Sequence, residues 1–349
     1  MEESNAEVEA RLAAQLLALG EDDASPADPM AYTQEIGEAA RIKDRARQVV
    51  GSALEGVREG KPVVVGPVEG VVREILDSIH RNPDAMLSLS MLKKRDDYTY
   101  LHSVNMGVLL VTYCREMEME EEEIIAVGLG GMLHDIGKMR ISSRILDKPG
   151  SLLKQEWLQV KRHVELGQRL LERTPGIKQV SLEVASQHHE RLDGSGYPNR
   201  LKGEAITRIG QMSAIVDIYD AITSSSSYRK GKDPHLVLKQ MMGWRGTLLE
   251  NALLQKFVHC VGVYPIGSLV RLKNGLIGVV IASNPGALLE PVVNLIIDAR
   301  KKVQIEPRVV DLLIHKGQKE GGYQIEKLES LKEWKVNPRQ FMPMPDCFK

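Results

Sequence analysis

The chain has 349 residues, enough for a full hydrophobic core spread over two or three domains. A formal net charge of -1 excludes the global field that would gather nucleic acid, so no DNA partner is expected. Three cysteines without paired spacing fit a reducing, cytoplasmic compartment, and no apolar run approaches the roughly 18 residues of a membrane span.

Residues 1 to about 30 are rich in Glu, Ala and Asp and lack the basic-then-apolar order of a signal peptide. Ser25-Pro26-Ala27-Asp28-Pro29 breaks any helix there, so a flexible lead-in is expected. Ile36, Ala39, Ala40, Ile42, Ala46, Val49 and Val50 then recur with helical spacing and predict a helix over 33–58. Further helices are predicted over 68–79 and 83–92, which completes an N-terminal segment over 1–95.

From 96 to 254 the pattern is almost wholly helical, with helices predicted over 100–116, 118–134, 154–172, 177–188 and 206–224. Glu120 to Glu123 opens one of them, where acidic side chains suit the positive end of the helix dipole better than they suggest a cation site. Short basic runs such as Lys93-Lys94-Arg95, Lys161-Arg162 and Arg229-Lys230 read as solvated helix faces. Over 255–349 the character changes: β-branched runs alternate with turns, Asn274-Gly275 signals a hairpin, and a small β module is predicted over 262–312. It carries no His/Asp cluster, so packing or partner contact is expected of it.

The chemistry is concentrated in the middle segment. His134-Asp135 and His188-His189 are adjacent pairs of metal-competent side chains, with His102 and His163 as single imidazoles. Asp217 lies between Val216 and Ile218 in an apolar helix, where a carboxylate without a cation would take up a proton or cost several kcal/mol. Neighbours on a helix point about 100° apart, so His134 and Asp135 reach one ion only near a helix end or kink. Gly130, Gly131 and Gly137 are expected to supply the looseness. Imidazoles and carboxylates without sulfur suit iron, manganese, zinc or nickel rather than magnesium or calcium. Gly194-Ser195-Gly196-Tyr197-Pro198 predicts a loop whose backbone approaches a ligand closely. These residues point to metal-dependent hydrolysis of a phosphodiester.

Leu101-His102-Ser103-Val104-Asn105, His134-Asp135-Ile136-Gly137-Lys138, Arg162-His163, the run from His188 to Pro198, and Val216 to Ser224 together resemble the HD-GYP family of HD-domain phosphohydrolases. The resemblance spans about 96–240. It implies a mainly α fold, an HD-type helical bundle preceded by a helical segment and followed by the small β module. It also implies hydrolysis of cyclic di-GMP to the linear dinucleotide pGpG, GMP or both, by attack of a hydroxide that bridges two divalent ions, iron or manganese being expected. Carried over by position, His102, His134, Asp135 and Asp217 hold one ion and His163, His188 and His189 the other, with Asp135 bridging. Asp135 and Lys138 are the implied catalytic residues, Lys138 on a phosphate oxygen. Substrate contacts are implied for Asp96, Lys138, Arg191, Gly194, Gly196, Tyr197, Asp220 and Arg229. The Gly-Tyr-Pro loop and the β module are the expected surfaces for protein partners.

Three departures stand out. Tyr98 occupies the position four before His102 where some relatives carry a third-metal glutamate, which favours a dinuclear site. Ser226 replaces an arginine common in the family, and loss of such a charge-assisted bond costs about 1.5–3 kcal/mol. The N-terminal β segment of the related subgroup is not found, which fits a truncated form. A cyclic di-GMP sensor of weak activity and a phosphohydrolase for another cyclic dinucleotide are the alternative readings.

Overall fold

The computed structural model describes residues 29–91, 98–224, 231–284, 286–316 and 322–343. The expected lead-in lies outside them up to Pro29, where helix α1 (Pro29–Arg58) begins on a proline, whose missing N–H is no loss at a helix start. Ile36, Ala39, Ala40, Ala46, Val50, Leu54 and Val57 form its buried stripe. They face α2 (Val65–Arg81), which buries Val68, Val71, Val72, Ile75, Leu76 and Ile79. Glu35, buried at this contact, accepts from Ser78 Oγ at 2.7 Å and Arg81 Nε at 2.6 Å, so its charge is matched. The short α3 (Pro83–Met91) follows directly.

The central bundle pairs α4 (Tyr98–Glu116) with α5 (Glu121–Leu133). At the start of α5, Glu122 pairs with Arg73 at 2.9 Å and Lys178 at 3.1 Å. A 3-10 turn (Ile136–Arg140) and the single-turn α6 (Ser143–Leu146) lead to α7 (Lys154–Lys161) and α8 (His163–Glu172). The one helix predicted over 154–172 is therefore two, broken at Arg162, because apolar spacing runs on through a turn that redirects the axis. Next come α9 (Gln179–Gln187) and α10 (Arg208–Thr223), the latter capped by Thr207 Oγ1, which accepts from Gly210 N at 3.0 Å. Helices α11 (Pro234–Met242) and α12 (Asn251–Val261) complete the helical part. The boundary expected after Leu254 falls inside α12.

The predicted module is a five-stranded antiparallel sheet in the order β4-β3-β2-β1-β5. Its strands are β1 (Leu269–Leu272), β2 (Leu276–Ala282), β3 (Val292–Asp298), β4 (Val303–Asp311) and β5 (Ile325–Glu329). Gly275, with φ 86°, turns β1 into β2, as the Asn-Gly pair predicts. Strand β5 lies beyond the expected end at 312 and pairs with β1. Leu269, Ile277, Val279, Ile281 and Ile296 join the helical core, whereas Val270, Leu272, Val280, Val293 and Leu295 form a second cluster on the other face. Asp84 of α3 accepts from Ser283 N at 2.8 Å and Ser283 Oγ at 2.5 Å, which fixes the end of β2 to the helices. No described helix is long and apolar enough to cross a membrane.

Candidate metal centre

Each predicted ligand sits where local structure turns its side chain inward. His134 is the residue that ends α5, and Asp135 follows with φ -94° and ψ 7°, outside the helix. The adjacent pair thus lies at a helix end, which lets both members face one point. Arg162 breaks the α7–α8 axis so that His163, first residue of α8, is buried. His188 ends α9 in the same way as His134 ends α5, and His189 follows it. His102 and Asp217 come from the interiors of α4 and α10.

Three groups of donor atoms result, each within 4.8 Å: His102, His134 and Asp217; His163, His188 and His189; and His134, Asp135 and His188. Asp135 stands between them, Oδ2 3.4 Å from His134 Nε2 and Oδ1 3.3 Å from His163 Nε2. Asp217 spans His102 Nε2 at 3.4 Å and His189 Nδ1 at 3.2 Å. The rear nitrogens fix the rings. His134 Nδ1 donates to Gly131 O and His163 Nδ1 to Val160 O, both at 2.7 Å, and His188 Nδ1 donates to Ala185 O at 3.0 Å. A carbonyl can only accept, so these rings carry the proton on Nδ1 and turn an Nε2 lone pair toward the cluster. His102 Nδ1 faces Asp220 Oδ2 at 2.7 Å, leaving its Nε2 inward.

The electrostatics suit a cation. Burial, with Lys138 and the His189 imidazole, pulls His163 down to about 3 despite Asp135, and burial likewise lowers His188 and His189, so these three rings stay neutral donors. Burial also disfavours charge on His102, but Asp217 and Asp220 outweigh it and push the ring up to about 10, so an ion at Nε2 would have to displace a proton there. Burial opposes ionisation of Asp135 and Asp217 too; Lys138 and His134 for the first, and His189 and His102 for the second, hold both carboxyls well below the usual range. His134 Nε2 and Asp135 Oδ1 are buried without a hydrogen-bond partner. Fully buried acceptors aimed at one another are costly unless something positive lies between them, so the donor set fits divalent ions.

Gly130, Gly131 and Gly137 do not loosen the chain, contrary to expectation. A Cβ on Gly137 would lie 1.9 Å from His163 O and 2.5 Å from Gly167 N, and one on Gly130 would lie 2.8 Å from Ser181 Cα. Their missing side chains let α8, α9 and the His134-Asp135 turn close on each other.

The loop after His189 is organised by a residue that sequence reasoning passed over. Glu190, 1% exposed, accepts from Asn199 N at 2.8 Å and Leu201 N at 3.0 Å. Its place inside the motif was visible, but the amides it serves lie nine and eleven residues on and follow no periodic rule. Gly196 packs against the backbone of Glu190 and Arg191, where a Cβ would come within 2.5 Å, and Gly194 turns the loop at φ 81°. Tyr197 lies on His189, ring centroids 4.5 Å apart. Arg191 Nη1 donates to Glu190 O at 2.6 Å, and Lys138 Nζ, 27% exposed, donates to Asp135 Oδ2 at 2.5 Å. Two of the residues with implied contacts have structural roles in this fold. Asp220 is fully buried behind His102 and also accepts from Ser224 Oγ, so it positions a ring. Gly196 is buried under its own loop and supports it. Asp96, Arg229 and Ser226 lie outside the described residues.

Comparison with known proteins gives the family. The HD domain family matches residues 84–251. The chain is 40% identical over 291 residues to the Cyclic di-GMP phosphodiesterase PA4108 of Pseudomonas aeruginosa, covering 82% of this chain and 70% of that protein. It is 36% identical to a Cyclic di-GMP phosphodiesterase of Thermotoga maritima over 49% of this chain and 47% of that one. It is 37% identical to 3'3'-cGAMP-specific phosphodiesterase 2 of Vibrio cholerae, over 41% of this chain and 28% of that protein. Among solved structures, the fold is similar to that of Bd1817, a HDG"Y"P protein from Bdellovibrio bacteriovorus. The TM-score is 0.53 at 16% identity, covering 70% of this chain and 76% of that one. With its ligand signatures, its loop and a relative matched over most of both lengths, the chain belongs to the HD-GYP family of HD-domain phosphohydrolases.

Proposed function

We propose that this chain hydrolyses cyclic di-GMP to pGpG, GMP or both, using a pair of divalent metal ions. The observation that carries the reading is the convergence of His102, His134, Asp135, His163, His188, His189 and Asp217, with orphaned acceptors on His134 and Asp135. His102, His134 and Asp217 would hold one ion and His163, His188 and His189 the other, with Asp135 between them. The sulfur-free, imidazole-rich set suits iron or manganese, with zinc and nickel as the other borderline ions. When bound, such a pair neutralises phosphate charge and lowers the pKa of water. Lys138, fixed on Asp135 yet partly exposed, would add positive charge where the phosphate oxygens gain negative charge in the transition state. Tyr197, whose ring lies on His189, and the 194–198 loop would contact the nucleotide.

Residues 96–254 are the proposed catalytic unit, with 1–95 and 255–349 flanking it. The 194–198 loop and the sheet are the proposed partner surfaces, and the unpaired Cys114 and Cys260 support a cytoplasmic location. The test is product analysis on cyclic di-GMP with metal-loaded and metal-stripped protein. Turnover only in the loaded form supports the reading. No turnover at full metal occupancy overturns it.

A further inference from the structure

Lys161, the last residue of α7, holds its ammonium among aromatic rings beside the centre. Nζ lies 4.6 Å from the ring centroid of Tyr197 and 5.9 Å from that of Trp157. Tyr197 in turn rests on His189, so a single ring separates this cation from the donor cluster. Lys138, Lys148 and Lys178 each have a carboxylate partner. Lys161 forms no ion pair among the described residues. Ring faces stabilise the ammonium without cancelling its charge, which leaves a half-buried cation open to an anion. Trp157 is 45% exposed, a large flat apolar surface turned to solvent within the same group.

A cyclic dinucleotide carries two phosphates and two purines on one ring. Only the phosphate being cut occupies the centre beside Lys138. The other brings a negative charge to the rim, and the purines bring π faces that stack on aromatic side chains. We propose, on the phosphodiesterase reading above, that Lys161 receives the phosphate that is not cut. Trp157 gives one purine a stacking face. Arginine in this place would keep the charge and the ring contacts, whereas an apolar residue would lose the charge-assisted bond. The pair Lys161-Arg162, which reads in sequence as a solvated helix face, thus divides into an exposed Arg162 and a Lys161 committed to the site.

The test compares Lys161→Met, Lys161→Arg and Trp157→Ala with the parent on cyclic di-GMP and on bis(p-nitrophenyl) phosphate, a diester with one phosphate and no nucleobase. Lys161→Met and Trp157→Ala are each expected to raise KM for cyclic di-GMP roughly tenfold with kcat within about twofold. Lys161→Arg restores KM, and turnover of the small diester and metal content stay at parent level in all three. An unchanged KM in Lys161→Met overturns the phosphate subsite, as does a parallel loss on the small diester, which would show a merely structural role. An unchanged KM in Trp157→Ala overturns the stacking face. A parent that cuts the small diester but not cyclic di-GMP contradicts the proposed substrate instead. The same KM comparison on 3',3'-cyclic GMP-AMP then decides the subsite, because that ring carries the same second phosphate; a parent that binds neither ring overturns both readings.

Discussion

Two of the regions that bury carboxylates treat them in opposite ways. In the centre, Asp135 and Asp217 lie among imidazoles and a lysine, which hold both well below the usual carboxylate range although burial opposes it. At the seam between α3 and the sheet, Asp84 accepts hydrogen bonds from Ser283, and burial pushes its carboxyl up despite them. The seam uses its carboxyl as a hydrogen-bonding strut that a proton suits. The centre keeps its carboxylates charged and leaves acceptor atoms without partners, an arrangement that stabilises a bound cation more than the fold itself.

Breaking the centre gives the largest effect. Asp135→Ala removes the carboxylate between the two donor groups, and both metal content by elemental analysis and phosphodiesterase turnover are expected to vanish together. Gly137→Ala places a methyl against the His163 carbonyl. We expect a loss of about 3 kcal/mol or more in chemical denaturation, with metal content lowered as α8 is pushed away. Glu190→Ala frees the amides of Asn199 and Leu201, and about 2–3 kcal/mol of stability should go with them. Because the loop slackens while the ligands stay, metal content is expected to hold and KM to rise.

The seam sharpens the contrast with the smallest effect. Asp84 has a folded pKa above its ordinary value of 3.8, so the folded chain holds its proton where the unfolded chain has released it. Its contribution is complete below 3.8 and is lost as pH rises through the raised value. Asp84→Asn keeps an acceptor for Ser283 N, lets its amide donate to Ser283 Oγ, which then accepts, and cannot ionise. The stability of this variant relative to the parent, followed by urea denaturation, should therefore rise with pH across that window, without change in metal content. A difference that falls with pH would contradict the assignment.

The centre was largely legible in the sequence because its chemistry lies in side-chain type, and His134-Asp135 and His188-His189 are hard to explain otherwise. Partners and approach distances were not legible. The apolar periodicity continues across Arg162 and so does not announce the break that turns His163 inward. The glycines at 130, 131 and 137 announced a missing Cβ, but only the packed structure shows which neighbour needs the space. Asp220 carried a family role in binding, and its burial behind His102 is a tertiary fact. Strand β5 escaped notice because Ile325-Glu326-Lys327-Leu328-Glu329 is an edge strand whose charged residues break the alternation expected of a half-buried one.

The most direct test is metal content and cyclic di-GMP turnover measured on one preparation before and after chelation. Two ions per chain, turnover lost with them, and both restored by manganese or ferrous iron is the predicted result. Undiminished turnover by metal-free protein would contradict the centre described above.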